Sequence, residues 1–308
     1  MMDIVFCTDN NYVMPCGISM VSLFENNNGQ DITVHIIGMN LDESGKDKLK
    51  GISDKYNSSI IFYNIDEEYI KKFKLMFDGP RHISIAAYIR LFIPEIVSDN
   101  INKVLYLDCD LIVVRDLSEL WNTNIDNHSI AGVLDGMVFQ RDLHDRLGYS
   151  KDYPYVNSGV LLINLEYWRQ NRILEKLLEY AKNKFEDIFF MDQDVINGTL
   201  HESTLLVHMK YNSNSIFYEY GWNPHSYKDE AEEARTNPVI IHYSSADKPW
   251  QKGRFHPLIP IYLKYKELSP WKNEPLRWYN PSLKKKIKYY KRVLLYKLGL
   301  KKPRYISV

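Results

Sequence analysis

This chain of 308 residues has few cysteines, no long apolar run and no formal net charge. The three cysteines (Cys7, Cys16 and Cys109) are an odd number without clustered spacing, so the sequence does not indicate a disulfide framework. No apolar stretch approaches the roughly 18 residues that cross a bilayer, which argues against transmembrane insertion. The opening MMDIVFC carries an acid where a signal peptide needs a basic start, so we expect a cytoplasmic protein.

The formal net charge of zero conceals an uneven distribution of charge. Residues 284–308 hold ten Lys or Arg and no acid, which leaves 29 basic against 39 acidic residues in the remainder. The stretch LKKKIKYYKRVLLYKLGLKK interleaves cations with apolar and aromatic residues, a pattern typical of a helix lying on an anionic membrane surface. The acidic body argues against wrapping nucleic acid. We therefore predict one folded domain over residues 1–265 and a membrane-associating tail over residues 266–308, with a solvated disordered tail as the alternative.

Short β-branched runs alternate with helical patterns along much of the chain. Strands are predicted at DIVFCT, ITVHIIG, SIIFYNI, KVLYLD, IAGVLD, GVLLINL and PVIIHYS. The spacing of Ile173, Leu177 and Ala181 predicts a helix from about Arg172 to Phe185. This alternation indicates an α/β fold with a mainly parallel central sheet flanked by helices.

The segment VLYLDCDLIV, residues 104–113, places Asp108 and Asp110 at the end of an apolar run. In an extended chain, residues two apart point to the same face, so the two carboxylates can converge on one point. Carboxylates that close repel unless a cation lies between them, and hard oxygen ligands suit Mg²⁺ or Mn²⁺. Two alternatives remain open: solvated aspartates that cap a turn, and a phosphatase of the haloacid dehalogenase type with Asp108 as nucleophile.

Six segments lie between residue 3 and about residue 250: DIVFCTDNNY, RHISIAAYIRLFIPE, KVLYLDCDLIV, YVNSGVLLINLEYWR, FMDQDVING and IIHYSSADKPW. Taken in this order, they resemble glycosyltransferase family 8, the retaining UDP-sugar transferases that include bacterial lipopolysaccharide galactosyl- and glucosyltransferases. The resemblance implies a GT-A catalytic domain over residues 1–265, and a galactose or glucose moved from a UDP-sugar to a glycan or glycolipid acceptor. It also implies Mn²⁺ held by Asp108, Asp110 and His242, with Mg²⁺ as the alternative; an imidazole ligand favours Mn²⁺.

The same resemblance assigns residues to the nucleotide and the diphosphate. The turn CTDNNY would bind uridine through Cys7, Thr8, Asp9, Asn11 and Tyr12, although a helix cap and turn explains Asp9 and Asn11 equally well. Lys248 would bind the diphosphate. Ser245 stands where the family usually has Gly, which is tolerable if φ stays negative.

The donor sugar would lie between two further segments. Arg90 would stand beside it, near the end of a predicted helix that carries Ser84, Tyr88 and Leu91 on one side. Gln193 would be nearest the sugar face opposite the leaving group, flanked by Asp192 and Asp194.

An amide is a poor nucleophile, so the resemblance favours front-face attack, with Asp194 as the alternative covalent nucleophile. Asn157 and Asp135 would contact sugar hydroxyls or the acceptor, or else serve as turn residues. A catalytically silent sugar-nucleotide-binding protein also remains open.

Overall fold

The computed structural model describes residues 1–65, 88–139, 141–278 and 282–306. Its strands are β1 (Met2–Asp9), β2 (Ile32–Met39), β3 (Ser59–Ile65), β4 (Lys103–Leu107), β5 (Leu111–Val113), β6 (Ile130–Leu134), β7 (Val156–Asn164), β8 (Thr204–Val207), β9 (Ser213–Asn214), β10 (Ile240–His242), β11 (Gln251–Lys252) and β12 (Arg277–Trp278). Its α-helices are α1 (Val13–Asn26), α2 (Glu43–Lys55), α3 (Ile93–Ile96), α4 (Ser118–Trp121), α5 (His144–Leu147), α6 (Leu165–Gln170), α7 (Ile173–Asn183), α8 (Met191–Leu200), α9 (Lys228–Thr236), α10 (Ile259–Glu267) and α11 (Leu283–Lys297).

The central sheet has the strand order β3-β2-β1-β4-β7-β6-β8. Strands β1 to β4 pair in parallel, β6 pairs in parallel with β8, and β7 runs antiparallel to both β4 and β6. Six of the predicted strands lie in this sheet, and the edge strand β8 was not predicted. The seventh prediction, PVIIHYS, became β10, which joins a separate sheet in the order β5-β10-β9.

Alternating side chains of the inner strands pack on opposite faces of the sheet. Ile4 and Phe6 of β1 belong to the apolar cluster that contains the buried face of α1, whereas Val5 belongs to the cluster that contains Ile173 and Leu177 of α7. This period of two is the expected pattern of a strand that is covered on both faces. The mainly parallel sheet flanked by helices was therefore predicted correctly, and helix α7 begins and ends within two residues of its prediction.

The C-terminal region contacts the body of the protein at two points in the chain, one before and one after an exposed helix. Trp271 is 2% exposed and lies over Gly17 of α1, and Tyr305 is 3% exposed and pairs with Glu219 in an isolated antiparallel bridge. Between them, α11 has no buried residue. Packing therefore continues past the predicted boundary at residue 265. In the described part of the chain, no helix has the length and apolar character needed to cross a membrane.

Candidate functional site

Asp108 and Asp110 lie in the tight turn between β4 and β5, not in an extended strand. The prediction that the two carboxylates converge is confirmed, but the cause differs. The turn brings them together, whereas the prediction assumed an extended chain. Pairing of β10 with β5 sets His242 opposite Leu111 and brings the imidazole to the same turn. His242 Nε2 is 3.2 Å from Asp110 Oδ1 and 3.7 Å from Asp108 Oδ2.

These three side chains fit a divalent cation. One ligand atom from each lies within 4.8 Å of the others, and two carboxylates with an imidazole suit Mn²⁺. Gly159 of β7 keeps the space open, since a Cβ there would lie 2.3 Å from His242 Cε1 and 2.7 Å from Asp108 Oδ2. Burial alone would raise the pKa of Asp110, but Lys248 and His242 outweigh burial and hold that pKa well below its usual range. Asp110 is therefore ionised at neutral pH, as a metal ligand must be.

Asn212 orients the imidazole of His242. Its Oδ1 lies 2.9 Å from His242 Nδ1, so the hydrogen bond places the proton on Nδ1 and leaves Nε2 free to act as a ligand. Tyr106 similarly donates a hydrogen bond of 2.6 Å to Asp108 Oδ1. Neither residue was predicted, because nothing in the patterns around them indicates a ligand-supporting role.

Arg90 joins the candidate metal ligands to the segment that contains Asp192. Its guanidinium is 3.0 Å from Asp108 Oδ1 and 3.1 Å from Asp192 Oδ2, and it donates a 2.9 Å hydrogen bond to the Ser158 carbonyl. Burial, reinforced by Asp108 and opposed by Arg90, raises the pKa of Asp192 to about 6. The predicted helix differs: Arg90 lies in a 3₁₀ turn, Ile89–Phe92, that leads into α3, and Ser84 lies outside the described residues.

Gln193 is fixed by hydrogen bonds to both ends of its amide. Its Oε1 accepts from Asn157 Nδ2 and from the Ser158 backbone N–H, both at 3.1 Å. Its Nε2 donates to Asp135 Oδ2 at 3.0 Å and to the Tyr155 hydroxyl at 3.1 Å. Asn157 also donates to Asp135 Oδ2 at 2.9 Å. The structure thus brings the predicted residues Gln193, Asn157 and Asp135 into one buried network.

The structure places Asp194 away from the cavity onto which Gln193, Asn157 and Asp135 face. Its carboxylate is fully buried and accepts two hydrogen bonds from Arg146, at 2.8 and 2.9 Å, and one from the Tyr155 hydroxyl at 2.8 Å. The backbone N–H groups of Phe189 and Phe190 donate two more, each 2.7 Å long. Five donors occupy both oxygens, so this geometry does not support Asp194 as a nucleophile. It supports a role in fixing the start of α8.

The loop after β10 brings Lys248 to the candidate metal site. Lys248 Nζ donates to Asp110 Oδ2 and, at 2.7 Å, to the Tyr243 carbonyl. The φ of Ser245 is not positive. A serine is therefore tolerated at this position, where the family usually has Gly. Its backbone N–H donates to Ser215 Oγ at 3.3 Å.

The turn after β1 has the geometry of a capped turn. Asp9 Oδ1 accepts hydrogen bonds of 2.9 Å from the backbone N–H groups of Asn11 and Tyr12. Thr8 is buried, and burial raises the pKa of the partly buried Cys7 thiol. Tyr12 is 40% exposed, and its ring stands edge-on to Trp250 at 5.7 Å. Tyr12 is thus the member of the turn that reaches the Lys248 loop.

An open cavity of about 680 Å³ lies beside the candidate metal site and the Gln193 network. Nine of the predicted residues line it: Arg90, Asp108, Asp110, Asp135, Asn157, Asp192, Gln193, His242 and Ser245. Arg141, Glu219 and Arg304 line it as well, and sequence patterns did not indicate them. Three parts of the prediction are not in its wall as the structure describes it: the turn after β1, Asp194, and Lys248, which contacts the wall residue Asp110.

The model of glycosyl transferase family 8 matches residues 3–253, most of the chain. This chain belongs to glycosyl transferase family 8. Among curated relatives of this family 8 glycosyltransferase, the lipopolysaccharide 1,3-galactosyltransferase of Salmonella typhimurium is 27% identical over 93% of the chain and 83% of the relative. General stress protein A of Bacillus subtilis is 28% identical over 88% and 94%.

Solved structures support the fold of this family 8 glycosyltransferase. The galactosyltransferase LgtC, in complex with donor and acceptor sugar analogues, matches with a TM-score of 0.76 and 24% identity over 87% of this chain and 96% of that one. The fold is therefore the GT-A type, as expected. Family membership favours a glycosyltransferase over the phosphatase alternative. The engagement of the Asp108 carboxylate by Arg90 and Tyr106 also disfavours its use as a nucleophile.

Proposed function

We propose that this glycosyltransferase moves a hexose, galactose or glucose, from a UDP-sugar to a glycan or glycolipid acceptor, with retention of anomeric configuration and with Mn²⁺ as cofactor. The observation that carries the proposal is the convergence of Asp108, Asp110 and His242 at a cavity that Arg90 also lines. Two carboxylates and an imidazole suit Mn²⁺, and a cation beside them suits a diphosphate.

The leaving group in such a reaction is a nucleoside diphosphate whose charge grows as the sugar departs. Mn²⁺ held by the three ligands would supply Lewis-acid stabilisation of that charge. Arg90 is buried and is held by Asp108, Asp192 and the Ser158 carbonyl, so it is preorganised to add a fixed positive charge beside the sugar and diphosphate. Lys248 would move from Asp110 to a phosphate oxygen, where its ammonium group acts as a point charge.

The buried network supports front-face attack as the proposed route. Gln193 uses both ends of its amide in hydrogen bonds, and an amide is in any case a poor nucleophile. Asp194 is sequestered by Arg146 and is not in the cavity wall. The acceptor hydroxyl would therefore enter on the side from which UDP leaves and pass its proton to a phosphate oxygen. Asn157, Asp135 and Asp192 would orient the sugar hydroxyls.

Helix α11 supports a further element of the proposal, attachment to the cytoplasmic face of an anionic membrane. Leu283, Ile287, Leu294 and Leu298 are each more than half exposed and recur at the spacing of one helix face. Lysines flank this face, and each cation near an anionic surface contributes about 1 kcal/mol. A lipid-linked acceptor, such as a lipopolysaccharide core, would lie at the same surface. That location fits the lipopolysaccharide 1,3-galactosyltransferase among the relatives.

The decisive experiment for the activity is a panel of UDP-sugars assayed for Mn²⁺-stimulated UDP release and sugar transfer. We expect one hexose donor to be preferred and Asp110→Asn to remove the Mn²⁺ stimulation. Asp99→Asn, at a carboxylate that is 96% exposed, is the matched control. A trapped phosphoaspartate at Asp108 would point to the phosphatase instead. Binding of UDP without turnover of any donor would point to a silent binding protein.

Membrane attachment is tested separately, by cosedimentation with vesicles. The unaltered protein should bind vesicles that contain phosphatidylglycerol, should bind phosphatidylcholine vesicles weakly, and should be released by high salt. Leu294→Glu should reduce binding, whereas Leu268→Glu, at an exposed leucine after α10, should not. Equal binding to both kinds of vesicle, or equal binding by the two variants, would contradict the role of α11.

A further inference from the structure

The last described residues of the chain return from α11 to the wall of the cavity. The Ile306 backbone N–H donates to the Tyr218 carbonyl at 2.8 Å, and the Tyr220 N–H donates to the Arg304 carbonyl at 3.0 Å. These two hydrogen bonds lie on either side of the bridge between Glu219 and Tyr305. Residues 304–306, here called the C-terminal strap, are therefore held by regular backbone pairing.

The side chain of Tyr305 ties the strap to the loop that carries Lys248. Its hydroxyl lies 3.1 Å from Ser245 Oγ and donates to Asp247 Oδ2 at 3.0 Å. Because that proton goes to the carboxylate, Ser245 is the donor in the other hydrogen bond. Ser245 Oγ also accepts from the Asp247 backbone N–H at 3.2 Å. A single phenol therefore fixes two residues of the loop, and Asp247 is the immediate neighbour of Lys248.

Arg304 adds charge to the same contact. Its guanidinium is 2.5 Å from Glu219 Oε1 and 3.6 Å from Asp247 Oδ2, and it forms part of the cavity wall. Asp247 Oδ2 is thus held by a hydroxyl and a cation from the strap, while Asp247 Oδ1 lies 3.7 Å from Arg254 Nη1. The ring of Tyr305 is 3% exposed and packs 5.1 Å from that of His256, so the hydroxyl has a defined position.

We infer that Arg304 and Tyr305 are positioning residues for donor binding, which hold the loop 244–248 so that Lys248 reaches the diphosphate. This inference rests on the proposed function for its substrate, but the contact itself does not. On this inference, the C-terminal strap contributes to the donor site as well as following α11 in the chain.

The test removes the Tyr305 hydroxyl alone. In the full chain, Tyr305→Phe keeps the ring and deletes both hydrogen bonds to the loop. We expect hydrogen–deuterium exchange in residues 244–250 to rise without any nucleotide, and UDP affinity in Mn²⁺ to fall about fivefold to tenfold, the effect of losing one or two hydrogen bonds. The matched control is Tyr296→Phe, whose hydroxyl contacts Arg292 instead of the loop, and it should change neither quantity.

A double-mutant cycle separates positioning from general stability. If Tyr305 acts through Lys248, Tyr305→Phe should change UDP affinity by less than about twofold in a Lys248→Ala background. An equal loss in both backgrounds, or unchanged loop exchange in Tyr305→Phe, would overturn the inference. Faster loop exchange combined with no UDP binding by the unaltered protein would uphold the contact and reject the proposed function.

Discussion

Replacing Gly159 by Ala is the sharpest perturbation of the candidate metal site. The added methyl group would lie 2.3 Å from His242 Cε1, 2.9 Å from His242 Nδ1 and 2.7 Å from Asp108 Oδ2. These separations are far below van der Waals contact, so His242 or Asp108 must move. The φ of Gly159 is outside the left-handed region, so the backbone itself accepts alanine. The effect therefore acts on the ligands and not on the strand.

The magnitude follows from overpacking and from ligand displacement. Inserting a methyl group into a packed site costs about 1–3 kcal/mol of unfolding free energy, less than the typical stability of a domain, so the variant should fold. Disturbing the orientation of metal ligands usually lowers metal affinity by about 10- to 100-fold. We expect a loss of Mn²⁺ affinity in this range for Gly159→Ala, with only a modest loss of stability.

The assay is calorimetric titration of Mn²⁺ in the presence of UDP, together with denaturant unfolding in a chelator. Gly51→Ala is the control, because a Cβ at this position of α2 meets no atom within 4 Å. It should leave Mn²⁺ affinity unchanged and stabilise the helix slightly. A folded Gly159→Ala protein that binds Mn²⁺ as tightly as the unaltered protein would refute the placement of the ion between Asp108 and His242.

Three further predictions concern residues near the site. Asn212→Leu removes the partner of His242 Nδ1 and should lower Mn²⁺ affinity about 10- to 100-fold by calorimetry, with Asn223→Leu on the surface as control. Arg146→Met leaves the buried Asp194 carboxylate without its cationic partner and should cost about 3–5 kcal/mol in urea unfolding; a cost near zero would reopen a catalytic role for the carboxylate.

The third of these predictions concerns pH. Burial, with Arg304 and Lys248 adding to it, lowers the pKa of His256 to about 3, so the unfolded chain binds a proton that the folded protein does not. The contribution of His256 to the unfolding free energy should fall by about 2 kcal/mol between pH 7 and pH 5. Urea unfolding of His256→Phe at both pH values should lack this component, and an unchanged pH dependence would contradict it.

Most of the sheet could be predicted because strands covered on both faces leave a local signal. Continuous apolar runs such as ITVHIIG and GVLLINL identify such strands directly, and both are buried along almost their whole length. The edge strand β8 was missed since it has only four residues, three half-buried and one exposed, and lacks that signal. The sequence also could not show that β10 leaves the main sheet, because this depends on its pairing with β5.

For the site, family motifs led to the predicted residues, and nine of these line one cavity. Their supporting partners could not, since Asn212, Tyr106 and Arg146 reach the site through tertiary contacts that no local pattern encodes. The misplacement of Asp194 has a specific physical reason. Consecutive helix residues point in different directions, so Gln193 faces the cavity while its neighbour faces Arg146 inside the protein.

Helix α11 contacts the body through its middle, and the chain that follows it is buried, so the helix is not a free tether. The ring of Tyr289, in the middle of α11, packs on Phe255 at 5.1 Å, and beyond the end of the helix Tyr305 is buried beside the cavity. A bilayer that bound α11 would therefore hold the cavity opening at one height and one tilt above the lipid headgroups. The geometry of the protein would then set the length of acceptor that can reach the donor.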